Sequence, residues 1–164
     1  MKYLDIYPED TANGPGVRVS FWPSGCAGLC EGCHNKESWD PNHGKDYTLE
    51  TENKIIELLK KPYIKGLSLL GGDPLFPSNI PEITKLVKKV KQECPDKDIW
   101  LWTGYLFEDI RDLEIFKYVD ICIDGPFILS QRDVTLAFRG SPNQRIIDVQ
   151  KSLSKGEIIE KEGF

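Results

Sequence analysis

Hydrophobic positions along the chain recur at two periods. In VRVSFW (17–22), Val17, Val19 and Phe21 share one face at strand spacing. GLSLL (66–70), IWLW (99–102) and YVDICID (118–124) read as three further short apolar strands. Between them the period changes to that of a helix. Residues 50–61 place Ile55, Leu58 and Leu59 on one side, with Thr48 as N-cap and Pro62 as the stop. Residues 80–92 place Ile83, Leu86, Val87 and Val90 at helical spacing, with Pro81 in the first turn. A third helix is expected near 107–117. The last 20 or so residues are polar and weakly patterned and read as a tail or an edge, from about residue 146.

Strands alternating with helices imply βαβ units and a parallel sheet. Ligands of such folds bind at the carboxyl ends of the strands. The unusual segments of this chain all follow strands: a Pro/Gly-rich loop with cysteines from Pro23 to about Gly44, then Gly71-Gly72-Asp73-Pro74, Thr103-Gly104-Tyr105 and Asp124-Gly125-Pro126. They are therefore expected at one end of one sheet.

Composition narrows the class. A length of 164 residues suits a single domain, read here as 1–164, and 40% hydrophobic with 29% charged residues suits a globular protein. A formal net charge of −5 argues against nucleic acid as the main partner. No apolar run approaches the roughly 20 residues of a membrane span, and the first residues, MKYLDIYPED, carry no signal-like apolar stretch. The five cysteines, an odd number, do not suggest a disulfide framework, so a cytoplasmic location is expected.

Three of those cysteines form Cys26-x3-Cys30-x2-Cys33. Thiolates ligate iron or zinc, and close spacing lets one loop wrap one centre. Three cysteines can hold three irons of a [4Fe-4S] cube and leave the fourth iron open, as a catalytic centre requires. Gly25, Gly28 and Gly32 let the backbone curl around it. A Cys3His zinc site recruiting His43 or His34 and a chance grouping of free thiols are the alternatives. Cys94 and Cys122 read as free thiols.

The cysteine loop following the first of these strands resembles the radical S-adenosylmethionine superfamily. Asn13-Gly14-Pro15-Gly16-Val17-Arg18, leading to Gly25-Cys26, is similar to the glycyl-radical-enzyme activases. Cys30-Glu31-Gly32-Cys33-His34-Asn35, Gly71-Gly72-Asp73-Pro74-Leu75, Trp102-Thr103-Gly104-Tyr105, Asp124-Gly125-Pro126-Phe127 and Arg139-Gly140-Ser141-x-Asn143-Gln144-Arg145 resemble the activases of anaerobic ribonucleoside-triphosphate reductases. The likeness runs from about residue 3 to residue 145. It implies an incomplete parallel (β/α) barrel, since the chain is shorter than a closed barrel of about 250 residues. It also implies a [4Fe-4S] cluster on Cys26, Cys30 and Cys33, with S-adenosylmethionine chelated to the open iron. Reductive cleavage would leave methionine and a 5′-deoxyadenosyl radical that takes a hydrogen atom from a glycine of the reductase. A low-potential donor such as flavodoxin or ferredoxin would supply the electron.

The other motifs gain roles from this resemblance. Gly71-Gly72 would bring backbone carbonyls close to S-adenosylmethionine, and Asp73 would pair with its amino group. Thr103 would contact the ribose or methionyl part, or else cap the next helix. Asp124, if buried, needs a cation, a ligand hydroxyl or a turn. Arg139, Asn143 and Arg145 would meet the carboxylate or form surface ion pairs, and Arg18 would pair with an acid. Many superfamily members carry an aromatic residue before the third cysteine, where this chain has Gly32, so His34 becomes a candidate for the adenine contact. Trp22, Trp100 and Trp102 read as core, and the lysines at 85, 88, 89 and 91 as a solvated helix face. An activase of another glycyl radical enzyme, a zinc or iron–sulfur binding module, and an electron carrier are the competing functions.

Overall fold

The computed structural model describes residues 1–27, 32 and 36–164. Cys30 and Cys33, expected as cluster ligands, and His34, expected at the adenine, lie outside the described residues.

The strands are β1 (Lys2–Asp10), β2 (Val17–Pro23), β3 (Lys45–Asp46), β4 (Ile64–Leu69), β5 (Asp98–Trp102), β6 (Ile121–Asp124) and β7 (Arg145–Asp148). They form one seven-stranded sheet in the order β3-β1-β2-β4-β5-β6-β7. The central four, β2, β4, β5 and β6, run parallel. These are the strands legible from hydrophobic pattern. The all-parallel expectation needs correction at both edges, because β1 and β3 pair antiparallel on one side and β7 on the other. The fold is thus a mixed α/β sheet, parallel only in its middle. The hairpin 11–16 is too short to carry a parallel crossover, so β1 must return antiparallel on β2. β1 was illegible because it sits near the sheet edge and buries only Ile6 and Asp10.

The helices are α1 (Leu49–Leu59), α2 (Ile80–Glu93), α3 (Phe107–Ile110) and α4 (Val149–Lys155). Thr48 caps α1 in a reciprocal box with Thr51: each backbone N–H donates to the other's hydroxyl, at 3.1 and 3.4 Å. Ile55 and Leu59 of α1 and Ile83, Leu86, Val87 and Val90 of α2 are fully buried against Val19, Phe21, Leu67, Leu69 and Leu101 of the sheet.

The expected helix at 107–117 divides into α3 and a 3₁₀ turn, Glu114–Lys117, because Leu113 is extended (φ −65°, ψ 140°). In one straight helix, Phe107 and Phe116 would point about 180° apart at 3.6 residues per turn. The break lets both rings enter the core, edge to face at 5.1 Å. The stretch read as a tail or edge from about 146 takes the edge position. Ile146 and Ile147 of β7 are buried, α4 follows with Asp148 as N-cap, and Lys161 N–H donates back to the Ile146 carbonyl.

Candidate active site

Successive side chains of a strand point to opposite faces, so the face away from α1 and α2 carries Arg18, Ser20 and Trp22 of β2, Ser68 of β4, and Trp100 and Trp102 of β5. Arg18 is fully buried. Its Nε donates to Ser68 Oγ (2.7 Å), Nη1 to the Pro15 carbonyl (3.1 Å), and Nη2 to the Leu67 carbonyl (3.1 Å) and Asp98 Oδ1 (2.6 Å). The guanidinium lies 5.6 Å from the Trp100 ring centre. Ser68 in turn donates to the Asn13 carbonyl at 2.6 Å. Asp10 accepts from Ser20, from Asn13 Nδ2 (2.7 Å) and from Ala12 N–H (2.8 Å). The 11–16 hairpin is therefore held down on a buried polar network, which places Asn13 over the ends of the parallel strands.

Those ends surround a cavity of about 490 Å³, within the size range of small-molecule sites. Cys26, Gly71, Gly72, Thr103 and Arg139 all line it, so five of the expected site residues are brought together. Trp22, Trp39, Trp102, Phe127 and Phe138 form aromatic walls. Among the described residues Arg139 is the one charged side chain in the lining. Trp22 and Trp102, expected as core, are half-buried at the cavity; Trp100 alone of the three is core.

The segment entering the cysteine loop is tied on several sides. Gly25 N–H donates to the Ser38 carbonyl (2.5 Å), Cys26 N–H to the Trp39 carbonyl (3.3 Å), and Ser24 Oγ to the His43 carbonyl (2.6 Å). Gly72 N–H donates to the Pro23 carbonyl (3.0 Å) and Asp73 N–H to the Gly25 carbonyl (2.7 Å). A Cβ on Gly71, where φ is +95°, would lie 2.3 Å from the Pro23 carbonyl oxygen; one on Gly72 would lie 2.5 Å from that of Gly25. The two glycines are thus required for the backbone after β4 to meet the backbone leading to Cys26. Asn79, at the N-terminus of α2, makes no capping bond; it donates instead to the Ser24 carbonyl at 2.7 Å. This residue was missed by sequence reasoning, since an Asn before a helix signals a cap. His43, a candidate zinc ligand, is exposed.

Asp73 and Asp124 lie buried behind the lining. Asp73 Oδ1 accepts from Leu75 N–H (2.9 Å), and Oδ2 from Thr103 Oγ1 (3.0 Å) and Gly104 N–H (2.9 Å). Its carboxylate joins the loop after β4 to the loop after β5. Burial pushes its pKa up to about 6, against the pull of these three hydrogen bonds. Thr103 does not cap α3, whose N-cap is Leu106; its hydroxyl accepts from Tyr105 N–H at 3.2 Å. Asp124 finds its partner in Arg145, whose Nε and Nη2 donate at 3.1 and 2.5 Å, while Phe107 N–H donates at 2.8 Å. Arg145 also bridges to Glu108.

The late polar motif divides into clamps and one free donor. Gln144 accepts from the backbone of Gly140 and Ser141 and donates to the Gly125 carbonyl (3.1 Å). Asn143 donates to the Pro126 carbonyl at 2.8 Å. Arg139 spends Nη1 on the Gln144 carbonyl (2.9 Å), and its buried Nε has no partner among the described residues. Among the described residues the indole nitrogens of Trp22 and Trp39 are likewise buried without a partner.

Comparisons with known proteins identify the family. Residues 12–147 match a family described as a 4Fe-4S single cluster domain. The chain is 50% identical over 146 residues to the anaerobic ribonucleoside-triphosphate reductase-activating protein of enterobacteria phage T4, covering 89% of this chain and 93% of the relative. It is 49% identical over 150 residues to the protein of the same name from Vibrio cholerae, covering 89% and 97%. With that of Escherichia coli K12 it shares 43% over 148 residues, covering 88% and 96%. The cysteine loop, the glycine pair beside it and the late Arg-Gly-Ser-x-Asn-Gln-Arg clamp thus lie on a chain alike over nearly its whole length, and this chain belongs to the family of anaerobic ribonucleoside-triphosphate reductase-activating proteins.

Proposed function

We propose that this protein activates an anaerobic ribonucleoside-triphosphate reductase by cleaving S-adenosylmethionine reductively at a [4Fe-4S] cluster and generating a glycyl radical on that reductase. The observation that carries this reading is the convergence of Cys26, Gly71, Gly72, Thr103 and Arg139 on one cavity at the carboxyl ends of the parallel strands. Cys26, Cys30 and Cys33 would hold the cluster. When bound, the cluster supplies one electron to the sulfonium of S-adenosylmethionine.

The chain's own residues bind, orient and enclose. Arg139, the one charged side chain in the described lining, suits the substrate carboxylate. The close-packed Gly71-Gly72 backbone holds the entry to the cysteine loop and offers carbonyls to the amino group. Asp73 and Asp124 act through the loops they hold, since their oxygens already serve Leu75, Thr103, Gly104, Phe107 and Arg145. Aromatic walls keep water away from the reacting atoms. The sheet is read as an incomplete barrel, its inner face the one bearing Arg18 and Trp100, with an open side toward the reductase. A flavodoxin or ferredoxin in the cytoplasm would be the electron source. No helix among the described residues is long and apolar enough to cross a membrane.

The test is anaerobic reconstitution. The wild-type chain should take up about four irons and four sulfides and, with dithionite, S-adenosylmethionine and the reductase, produce an EPR doublet on the reductase. Alanine at Cys26, Cys30 or Cys33 should abolish both cluster and doublet, whereas alanine at Cys94 or Cys122 should leave the cluster in place. One zinc per chain, or a cluster that survives loss of Cys30, overturns the assignment.

A further inference from the structure

The sheet face bearing Arg18 and Trp100 carries a second, small apolar cluster beside the cavity. Trp100 of β5, Ile121 and Ile123 of β6 and Ile146 of β7 are buried in it, and Trp102 and Phe138 pack against it. Phe138 comes from the segment between β6 and β7, and its ring meets that of Trp100 edge to face at 5.5 Å. Among the described residues it is the one non-glycine residue with a left-handed backbone, φ +58°. That conformation is costly for a residue with a Cβ and persists only where its surroundings impose it. Two neighbours do so. Trp102 Nε1 donates to the Phe138 carbonyl at 2.7 Å. The Phe164 ring lies 5.4 Å from that of Phe138 and, edge on, 5.7 Å from that of Trp100. The chain after α4 brings Phe164 there. Asp148 N–H donates to the Ile159 carbonyl (2.8 Å) and Lys161 N–H to the Ile146 carbonyl (2.7 Å), so this stretch runs antiparallel along β7.

We infer that Phe164 is a positioning residue of the cavity: by bracing Phe138 in its left-handed conformation, it holds Arg139 in place for the ligand's carboxylate. The identity of that ligand rests on the proposed function. Phe138, Arg139 and Gly140 all line the cavity, so Phe164 stands one ring behind the wall. Arg139 directly follows the strained residue. If Phe138 relaxed to a negative φ, the backbone carrying Arg139 would turn with it. The far end of this short wall is held by Gln144, which accepts from Arg139 Nη1 through its carbonyl and from Gly140 N–H through Oε1, both at 2.9 Å. The near end has the Trp102 hydrogen bond and the Phe164 ring. Phe164 itself stays 45% exposed, so its truncation removes the ring contacts without opening the core beneath α1 and α2.

The experiment uses the cluster-loaded chain under anaerobic conditions and measures binding, not turnover. The probe is S-adenosylhomocysteine, which carries the carboxylate and has no sulfonium to cleave. Phe164→Ala should weaken its binding roughly three- to ten-fold, because the braced wall becomes a smaller share of the population. Phe164→Tyr keeps the ring and should bind like wild type. In an Arg139→Gln background, Phe164→Ala should have no further effect. A second readout needs no ligand. The Trp102 indole N–H, bonded to Phe138, should exchange with solvent roughly three-fold faster or more in Phe164→Ala, while the amides of α2 keep their rates. A Phe164→Ala variant that binds like wild type overturns the inference. So does a loss that persists undiminished beside Arg139→Gln, a Phe164→Tyr variant as weak as the alanine one, or an unchanged Trp102 exchange rate. Wild-type protein that binds neither S-adenosylmethionine nor S-adenosylhomocysteine overturns the proposed function, and the exchange rates then still decide whether Phe164 braces the wall.

Discussion

Around β2 and β4 the two faces of the sheet are buried to a similar depth by opposite chemistry. On the helix-covered face, Val19, Phe21, Leu67, Leu69, Ile99 and Leu101 are fully buried among the side chains of α1 and α2. One residue along each strand, on the other face, Arg18, Ser20 and Ser68 are equally buried. Apolar area alone stabilises the first face. The second is held by a guanidinium whose partners come from the 11–16 hairpin, β4 and β5. A hydrophobic face tolerates exchange of one apolar group for another, whereas a buried polar face must have every donor met. The lesson is that the cavity end of the sheet rests on its less forgiving face.

The largest test of that contrast is Arg18→Met. It removes the cation from Asp98 and takes one donor each from Ser68 and two carbonyls, so it should cost roughly 3–5 kcal/mol in urea unfolding, against about 0.5–1.5 kcal/mol for Ile83→Val on the helix side. Equal losses would erase the distinction between the faces.

Asp73 gives a smaller effect with a sign. Its pKa in the folded chain, about 6, lies above the ordinary 3.8. Below about pH 4 both folded and unfolded forms are protonated. As pH rises from 4 to 6, the unfolded chain gives up its proton first, so the stabilising preference for the neutral acid is lost. The stability of wild type relative to Asp73→Asn should therefore fall by roughly 2–3 kcal/mol between pH 4 and 7. A difference that stays constant with pH would mean that Asp73 is not desolvated in the folded chain.

The smallest effect belongs to the helix layer. Thr48→Ala removes one half of the α1 capping box and should lower stability by about 1 kcal/mol, with S-adenosylmethionine affinity unchanged. Loss of affinity there would show that the helix layer and the cavity are coupled.

Much of this arrangement was legible in local pattern. Alternation at 17–22 identified β2, and the apolar runs at 66–70, 99–102 and 118–124 identified the strands that pair with it in parallel. From that order followed the gathering of Cys26, Gly71, Thr103 and Gly125 at one cavity. The cysteine spacing and the late Arg-Gly-Ser-x-Asn-Gln-Arg segment pointed to the family, and the caps and spacing of α1 and α2 needed nothing beyond neighbouring residues.

Other features depended on partners far along the chain. Arg18 meets Ser68 and Asp98, 50 and 80 residues away. Asp124 waits for Arg145, and Asn79 abandons its cap for Ser24. Trp22 and Trp102 read as core, since a strand tryptophan looks the same from sequence whether a helix or a cavity covers it. The antiparallel strands β1, β3 and β7 carried too little alternation to be seen. Periodicity records which way a side chain points; which donor meets which acceptor is decided only when distant strands are brought side by side. Burial makes that pairing obligatory, so the polar half of this protein was settled by its tertiary structure and the apolar half by its sequence.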